Sequence, residues 1–220
     1  MVDQPHLHRS AEIEDLAHLT QEDINKPLVD NKQKSKQALI IVDIQNDYFP
    51  GGKWTLNGMD AAADNAARLI SAARSTDDLI VHVRHEFPTS DAPFFAQGSV
   101  GVQIHSKVQN REDEHVIVKN HINAFRDTKL KEILDRNGIR NLIICGAMSH
   151  MCIDAITRAA HDFGYNCIVI HDACASRDLE FNGIRIPAEY VHASFMAALE
   201  FAYAKTISTQ EFLKQQKFQD

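Results

Sequence analysis

Short apolar runs alternate with segments of helical periodicity along most of this chain, and that alternation limits the folds it can adopt. The runs are continuous and rich in β-branched residues, which is typical of strands buried on both faces of a sheet. They comprise residues 38–42, 78–83, 115–118, 141–146, 166–170 and 204–207. Helix-period segments lie between most of them, at residues 59–75, 129–137, 150–163 and 187–203.

This order of elements predicts an α/β protein. Right-handed crossovers between parallel strands place helices on both sides of one sheet, which gives a three-layer α/β/α, Rossmann-like, doubly wound architecture. We expect about six mainly parallel strands in the order 3-2-1-4-5-6. The 220 residues, of which 44% are hydrophobic, suit one such core. The predicted organisation is a polar N-terminal arm at residues 1–36, one domain at 37–209 and a C-terminal tail at 210–220.

Charge and hydropathy exclude two classes of partner. The net charge is −7, and Lys and Arg form no run or stripe, so the basic footprint of a nucleic-acid binder is missing. No stretch approaches the ~20 apolar residues of a membrane span, and the first residues contain no apolar secretory core. The four cysteines form no Cys-x-x-Cys pair, which favours reduced thiols. We expect a cytoplasmic protein that binds neither nucleic acid nor membrane.

Three chemically distinct groups lie at the carboxyl ends of predicted strands, where doubly wound sheets bind their ligands. Asp43 follows the first strand, Lys119 follows the third, and the fourth leads to Cys152 near the start of a helix. Taken singly, the Asp fits turn chemistry and the Lys a solvated charge, but all three share one edge. With Ser149 as the N-cap, Cys152 takes the third helical position, where the helix dipole favours a thiolate.

These groups are the ones that nucleophilic attack on a carbonyl requires. Cys152 supplies the nucleophile, Asp43 accepts the thiol proton, and Lys119 holds the two in place. Backbone N–H groups at the strand-to-helix turn, around Ala147 and Met148, can stabilise the oxyanion. The residues therefore predict an enzyme that uses a thiol nucleophile on a small-molecule substrate.

Four motifs resemble those of the isochorismatase-like cysteine hydrolase family, which includes nicotinamidases and N-carbamoylsarcosine amidase. They are IVDIQNDYFPGG, VIVKNHINAFRDTKL, GAMSHMCIDAITRAAHDFGY and VIHDACASRD. The resemblance implies a catalytic triad of Asp43, Lys119 and Cys152, a cis peptide bond between Ala147 and Met148, and an oxyanion hole formed by the amides of Met148 and Cys152. It also implies a homo-oligomer, a dimer or tetramer, in which a neighbouring chain can help to close the pocket.

The metal-binding pattern that the resemblance associates with nicotinamidases is missing from this sequence. An Asp-x-His is expected after the second strand, where this chain reads VHVRHEFPTSDAP. His82 and His85 lie three residues apart and face opposite sides of an extended strand, so they are poor joint ligands and better read as core or loop histidines. We expect no metal and no other cofactor.

The type of bond cleaved follows from the cysteine. The resemblance implies that isochorismatases acting on a vinyl ether often lack the nucleophilic cysteine, so Cys152 favours hydrolysis of an amide-type carbon–nitrogen bond through a covalent thioester. Two alternatives stay open: a vinyl ether hydrolase of the isochorismatase type, and a non-catalytic member that only binds a small molecule.

Aromatic residues near the strand ends can line an apolar pocket, although such residues more often belong to the core. The segment between Arg84 and Glu114 has little periodicity, and a connection of that length is usually a functional lid. The candidate pocket residues are Phe49, Trp54, Phe94, Phe95, Phe125 and His150.

Overall fold

The computed structural model describes residues 36–217, so the predicted N-terminal arm lies outside the described residues apart from Lys36. Eight strands lie within this region: β1 (Gln37–Val42), β2 (Leu79–His85), β3 (His115–Lys119), β4 (Asn141–Ala147), β5 (Asn166–Ala175), β6 (Leu179–Phe181), β7 (Ile184–Ile186) and β8 (Lys205–Ile207). Six of them form one sheet in the order β3-β2-β1-β4-β5-β8, in which all neighbours run parallel. The predicted fold class and strand order are confirmed, because β8 is the sixth strand of this sheet along the chain.

Helices cover both faces of the sheet. They are α1 (Met59–Ser75), α2 (Leu130–Arg136), α3 (Asp154–Asp162), α4 (Ala188–Ala202) and α5 (Thr209–Lys217). Strand β1 shows why two layers are needed, because its side chains alternate between two apolar clusters. Leu39 and Ile41 pack in the cluster that contains residues of α1 and α5. Ile40 and Val42 pack in the cluster that contains residues of α2, α3 and α4.

The segment predicted as a C-terminal tail contains α5 apart from its first residue, Thr209, and Phe212 of this helix is buried in the first of these clusters. Within residues 36–217, no helix combines the length and the apolar composition that crossing a membrane requires.

A small hairpin that the sequence reading missed precedes α4. Strands β6 and β7 pair antiparallel, with Phe181 opposite Ile184, so only Asn182 and Gly183 form the turn. Both turn residues have positive φ, 51° and 75°. Asn-Gly between two short apolar runs is a strong signal for a two-residue hairpin turn, and it was present in the sequence.

Gly146 allows β1 and β4 to approach each other where the candidate site begins. Its φ is 126°, and a Cβ added there would overlap the carbonyl oxygen of Val42, its register partner. Val42 directly precedes Asp43, and Gly146 precedes Ala147, the last residue of β4, after which the turn leads to Cys152. A missing side chain thus sets the spacing between two segments of the site.

We expect Gly146→Ala to lower the free energy of unfolding by about 1–3 kcal/mol, because the added methyl group forces backbone movement in a packed interior. Urea denaturation of the purified variant measures the change. Gly98→Ala is the matched control, since its φ is also positive, at 74°, but no atom lies within 4 Å of an added Cβ. Equal losses in the two variants would contradict the role of the close contact with Val42.

Candidate active site

The three residues predicted to be catalytic lie together at the carboxyl ends of the strands. Lys119 Nζ is 2.8 Å from Asp43 Oδ2 and 3.3 Å from Cys152 Sγ. All three are buried, with exposed fractions of 0% for Asp43, 1% for Lys119 and 3% for Cys152. Lys119 ends β3, two strands away from β1, so its long side chain reaches across the end of β2 to contact Asp43. The sheet order therefore brings an acid, a base and a thiol to one point.

Asp43 adopts a left-handed backbone conformation directly after β1, with φ of 52°. Its N–H still donates to the carbonyl of Val83 at 2.9 Å, which ties the residue to β2. A non-glycine residue with positive φ costs of order 1 kcal/mol and is held in place by its surroundings. The bend ends the strand and leaves the Asp43 carboxylate beside Lys119.

His85 is a member of this cluster that the sequence reading did not place in the site. It ends β2 as the register partner of Lys119, and its Nδ1 lies 2.9 Å from Lys119 Nζ. Burial and the neighbouring Lys119 cation lower the pKa of His85 to about 4. The burial of His85 agrees with the expectation of a core or loop histidine, but that expectation did not include its contact with Lys119. Its position at the end of a strand, like that of Asp43 and Lys119, was the signal that could have indicated the contact.

His82 lies on the same strand and behaves as a structural histidine. Its Nε2 is 3.1 Å from the Glu114 carboxylate, and burial lowers its pKa. The expectation of a core or loop histidine therefore agrees with the position of His82. The two rings also fail to converge on one point, as the spacing of three residues along a strand predicts.

One group of three potential metal ligands occurs among the described residues, formed by Asp43, His85 and Cys152, with ligand atoms within 4.8 Å of one another. Lys119 Nζ contacts each of these three side chains, at 2.8, 2.9 and 3.3 Å. An ammonium group thus takes the place between them where a metal ion would have to bind. As folded, this set of side chains fits a lysine and does not fit a metal ion.

The turn that carries Cys152 differs from the predicted helix start. A π-type turn at Ser149–Ile153 precedes α3, and Ser149 does not cap it: the Ser149 hydroxyl donates to the carbonyl of Ala175 at 3.1 Å and contacts His192 Nδ1 at 2.8 Å. The expected N-cap is therefore wrong, because the Ser149 hydroxyl forms its hydrogen bonds with residues of β5 and α4 instead of with the first turn of the helix.

The expectation that the start of the helix favours a thiolate is also wrong. Burial raises the pKa of Cys152, the Asp43 carboxylate raises it further, and the Lys119 cation only partly opposes them. Burial lowers the pKa of Lys119, but Asp43 and Cys152 raise it to a net value above its usual range, so the ammonium stays charged. At neutral pH the resting cluster therefore contains a thiol beside the Lys119 ammonium.

The turn after β4 carries the backbone groups that were predicted to form an oxyanion hole. The peptide bond between Ala147 and Met148 is cis. Met148 and Cys152 both line the cavity described next, so this turn contributes two of its lining residues.

A cavity of about 470 Å³ lies beside Cys152, and aromatic rings form one part of its wall. Trp54 and Phe94 stack with ring centroids 4.6 Å apart, and Phe94 meets Phe87 edge-on at 5.3 Å. The Arg177 guanidinium lies 4.2 Å from the centre of the Trp54 ring, and residues 36–217 supply no ion pair to it. The lining residues are Tyr48, Trp54, His85, Phe87, Phe94, Ile122, Met148, His150, Met151, Cys152, Arg177, Asp178, Leu179 and Glu180.

Another cavity of about 440 Å³ lies at the opposite edge of the sheet, between α1 and α5. It is lined by Gln37 and Thr76 among others, and it contains none of the predicted site residues. The chemistry therefore belongs to the cavity beside Cys152.

Three of the predicted pocket residues line that cavity: Trp54, Phe94 and His150. The other three do not, which corrects the expectation. Phe49 stacks on His105 with centroids 3.6 Å apart. Phe95 is fully buried beside Tyr48, with centroids 4.5 Å apart. Phe125 packs edge-on against Phe163 in the cluster on the other face of the sheet. In each case the ring serves the core, as aromatic residues near strand ends commonly do.

The largest group of pocket residues that sequence reading missed comes from the segment that enters the β6–β7 hairpin. Arg177, Asp178, Leu179 and Glu180 form one side of the cavity. The Asn-Gly turn signal could have located the hairpin. Phe87 and Phe94 come from the long segment predicted to be a lid, and they form part of the aromatic wall.

This chain is similar to a set of hydrolases. The family model of the isochorismatase domain matches residues 37–211. An isochorismatase family protein of Bacillus subtilis, YddQ, is 47% identical over 177 residues, which is 80% of this chain and 98% of that protein. A maleamate amidohydrolase of Pseudomonas putida is 24% identical over 197 residues, covering 82% of this chain and 86% of that enzyme. A crystal structure from Oleispira antarctica, assigned as an isochorismatase hydrolase, is 53% identical with a TM-score of 0.80, over 82% of this chain and 97% of the other.

Proposed function

The chain belongs to the isochorismatase family of hydrolases, and we propose that it cleaves an amide-type carbon–nitrogen bond of a small molecule through a covalent thioester on Cys152. The observation that carries this proposal is the buried cluster in which one ammonium, that of Lys119, contacts both a carboxylate and a thiol. The similarity to a maleamate amidohydrolase supports a carbon–nitrogen bond as the target.

The first half of the proposed reaction forms the thioester. Cys152 Sγ attacks the carbonyl carbon while the Asp43 carboxylate takes the thiol proton. The carbonyl oxygen becomes an oxyanion that the backbone amides of Met148 and Cys152 stabilise. When the tetrahedral intermediate collapses, the carbon–nitrogen bond breaks and the departing nitrogen takes the proton from Asp43.

The second half releases the acid. A water molecule attacks the thioester carbonyl while Asp43 accepts a proton from it. The carbon–sulfur bond then breaks, the carboxylic acid product leaves, and the proton returns from Asp43 to Cys152 Sγ. The cluster is thereby restored to thiol, ammonium and carboxylate.

Lys119 makes the proton transfer feasible in a buried site. Moving the proton from Cys152 to Asp43 moves one negative charge from the carboxylate to the sulfur and leaves the net charge of the cluster unchanged. The Lys119 ammonium contacts the Asp43 carboxylate at 2.8 Å and the Cys152 sulfur at 3.3 Å, so the negative charge is paired with a cation before and after the proton moves. An unpaired charge at such a buried position would be strongly destabilising.

The cavity indicates the type of substrate. A volume of about 470 Å³ suits a small molecule, and the stacked Trp54 and Phe94 rings favour an apolar or planar portion. Arg177 has no carboxylate partner within the described chain, which supports an acidic group on the substrate beside the Trp54 ring.

Product release from a panel of small amides, carbamoyl compounds and nitriles tests the proposed function. Ammonia or amine release by the wild-type protein, without release by Cys152→Ala, supports it, and an acyl adduct on Cys152 in the mass spectrum identifies the thioester. Cleavage of vinyl ethers alone would favour the isochorismatase-type alternative. Ligand binding without any turnover would favour the non-catalytic alternative.

We expect exhaustive chelation to leave the rate unchanged and nicotinamide to be a poor substrate, since Lys119 lies where a metal would have to bind. Steady-state rates before and after treatment with a chelator, together with metal analysis of the purified protein, measure this. Activity that is lost on chelation and restored by one added metal would show that a metal site exists and contradict the prediction.

We also propose that the protein works as a homo-oligomer in the cytoplasm. Phe181, Ile184 and Phe201 are exposed apolar side chains, and a second copy of the chain offers a way to cover them.

A further inference from the structure

We propose that His85 is a fourth functional member of this site: its Nδ1 holds the Lys119 ammonium in place, and its Nε2–H donates to an acceptor oxygen of the substrate. The inference rests on the proposed function in one respect, because it adds a substrate contact to the same site. It follows from counting the hydrogen-bond donors of Lys119 and His85.

The Lys119 ammonium has no donor left for a substrate. A lysine ammonium carries three N–H groups and no acceptor. Lys119 Nζ contacts three partners: Asp43 Oδ2 at 2.8 Å, His85 Nδ1 at 2.9 Å and Cys152 Sγ at 3.3 Å. Its role is therefore positioning, and a donor that reaches the substrate has to come from another side chain.

The contact with Lys119 determines which nitrogen of His85 carries the proton. Because the ammonium can only donate, His85 Nδ1 must accept, and a neutral imidazole then carries its hydrogen on Nε2. Burial and the Lys119 cation lower the pKa of His85 to about 4, although the Asp43 carboxylate acts in the opposite direction and His121 adds to the lowering. The ring is thus neutral above about pH 5, in the Nε2–H form.

The surroundings of His85 keep the ring in this orientation. The Gln45 side chain holds its backbone on both sides, accepting from the His85 N–H and donating to the His85 carbonyl, each at 2.8 Å. Phe87 and Phe95 pack against the imidazole, with centroid distances of 4.7 and 6.2 Å. A clamped backbone and two packed rings oppose rotation of the imidazole away from Lys119.

His85 Nε2 is buried and has no hydrogen-bond partner among residues 36–217. The side chain is only 4% exposed, yet it lines the cavity that also contains the Cys152 thiol. A buried donor left unpaired destabilises a protein by roughly 1–3 kcal/mol, and such groups call for an explanation. An oxygen of the bound substrate supplies the missing acceptor.

His82 provides a matched control on the same strand. It is also buried, its Nε2 faces the Glu114 carboxylate, and its Nδ1 has no partner in the described chain. Unlike His85, it is not among the residues that line the cavity. It shares burial and strand with His85 but has no access to a substrate.

The first experiment determines the tautomer of His85 in the wild-type protein by NMR of ¹⁵N-histidine-labelled samples between pH 6 and 9. We expect a protonated Nε2, an unprotonated Nδ1 and no titration over this range. A hydrogen on Nδ1, or an imidazolium at pH 7, would overturn the proposal. This measurement needs no substrate, no variant and no turnover.

The second experiment tests the contact with an acceptor oxygen through the alkylation rate of Cys152. Iodoacetamide carries a carbonyl oxygen, whereas allyl iodide has a similar size and no acceptor. In His85→Asn the amide oxygen can replace Nδ1 as the acceptor for Lys119, while the Nε2–H donor is lost. We expect this variant to slow alkylation by iodoacetamide about tenfold relative to alkylation by allyl iodide, with mass spectrometry identifying the modified residue.

His82→Asn should leave the ratio of the two rates unchanged. Equal slowing of both reagents in His85→Asn would limit His85 to positioning Lys119 and overturn the proposed substrate contact, and unchanged rates with both reagents would overturn it as well. Because alkylation involves no hydrolysis, failure of the proposed function would appear in the product-release assays and leave this result intact.

Discussion

Replacing Cys152 with alanine is expected to lower turnover by at least ~10³-fold while the fold persists, since removal of a nucleophile costs up to ~10⁶-fold in well-studied hydrolases. No other thiol is positioned to take over, because the remaining cysteines that the structure describes lie within strands β4 and β5. The measurement is kcat/KM on the best substrate from the amide panel, with circular dichroism and urea denaturation to verify the fold. Cys152→Ser should be similarly impaired, because a hydroxyl is a far weaker nucleophile in this environment.

Cys167→Ala is the control for this experiment. Cys167 is a buried residue of β5 that packs in the core, and burial alone raises its pKa. We expect this variant to lose some stability and to keep its activity. Substantial turnover by Cys152→Ala would remove the covalent mechanism from consideration.

Replacing Asp43 with asparagine is expected to lower the rate of hydrolysis by about 10²–10⁴-fold, the usual contribution of a general base. The amide cannot take the thiol proton, so attack by Cys152 loses its proton acceptor. Lys119→Ala should also lose activity, because the side chain that spaces the thiol and the carboxylate is gone. Steady-state kinetics of both variants, with a stability measurement beside them, provide the test.

The pH dependence of Cys152 alkylation in Asp43→Asn distinguishes loss of the general base from misfolding of the site. The Asp43 carboxylate raises the pKa of Cys152 and the Lys119 cation lowers it, so removing the carboxylate charge must lower that pKa. In Asp43→Asn the alkylation of Cys152 should therefore begin at lower pH than in the wild type, although hydrolysis is slower. Asp178→Asn is the control. Asp178 lines the same cavity, but its carboxylate pairs with Arg185 and not with Lys119, so we expect its removal to leave the pH profile of Cys152 alkylation unchanged. An Asp43→Asn profile that matches the wild type or moves to higher pH would contradict the assignment.

The sequence by itself predicted the sheet and the edge at which its chemistry lies. Continuous apolar runs that alternate with helical segments allow few arrangements other than a parallel, doubly wound sheet. In such a sheet the carboxyl ends of all strands meet at one edge, so Asp43, Lys119 and the turn before Cys152 could be placed near one another without coordinates. The same rule, applied to the end of β2, would have included His85.

Only the tertiary structure decided how these groups act on one another. The pKa of Cys152 depends on burial by the whole fold and on the Asp43 charge, and together these outweigh the opposing effect of the Lys119 cation. Likewise, the partner of the Ser149 hydroxyl and the direction of each aromatic ring depend on strands and helices that are distant in sequence. Local patterns determine which residues reach the edge of the sheet, whereas desolvation and side-chain contacts arise only when all the layers are packed.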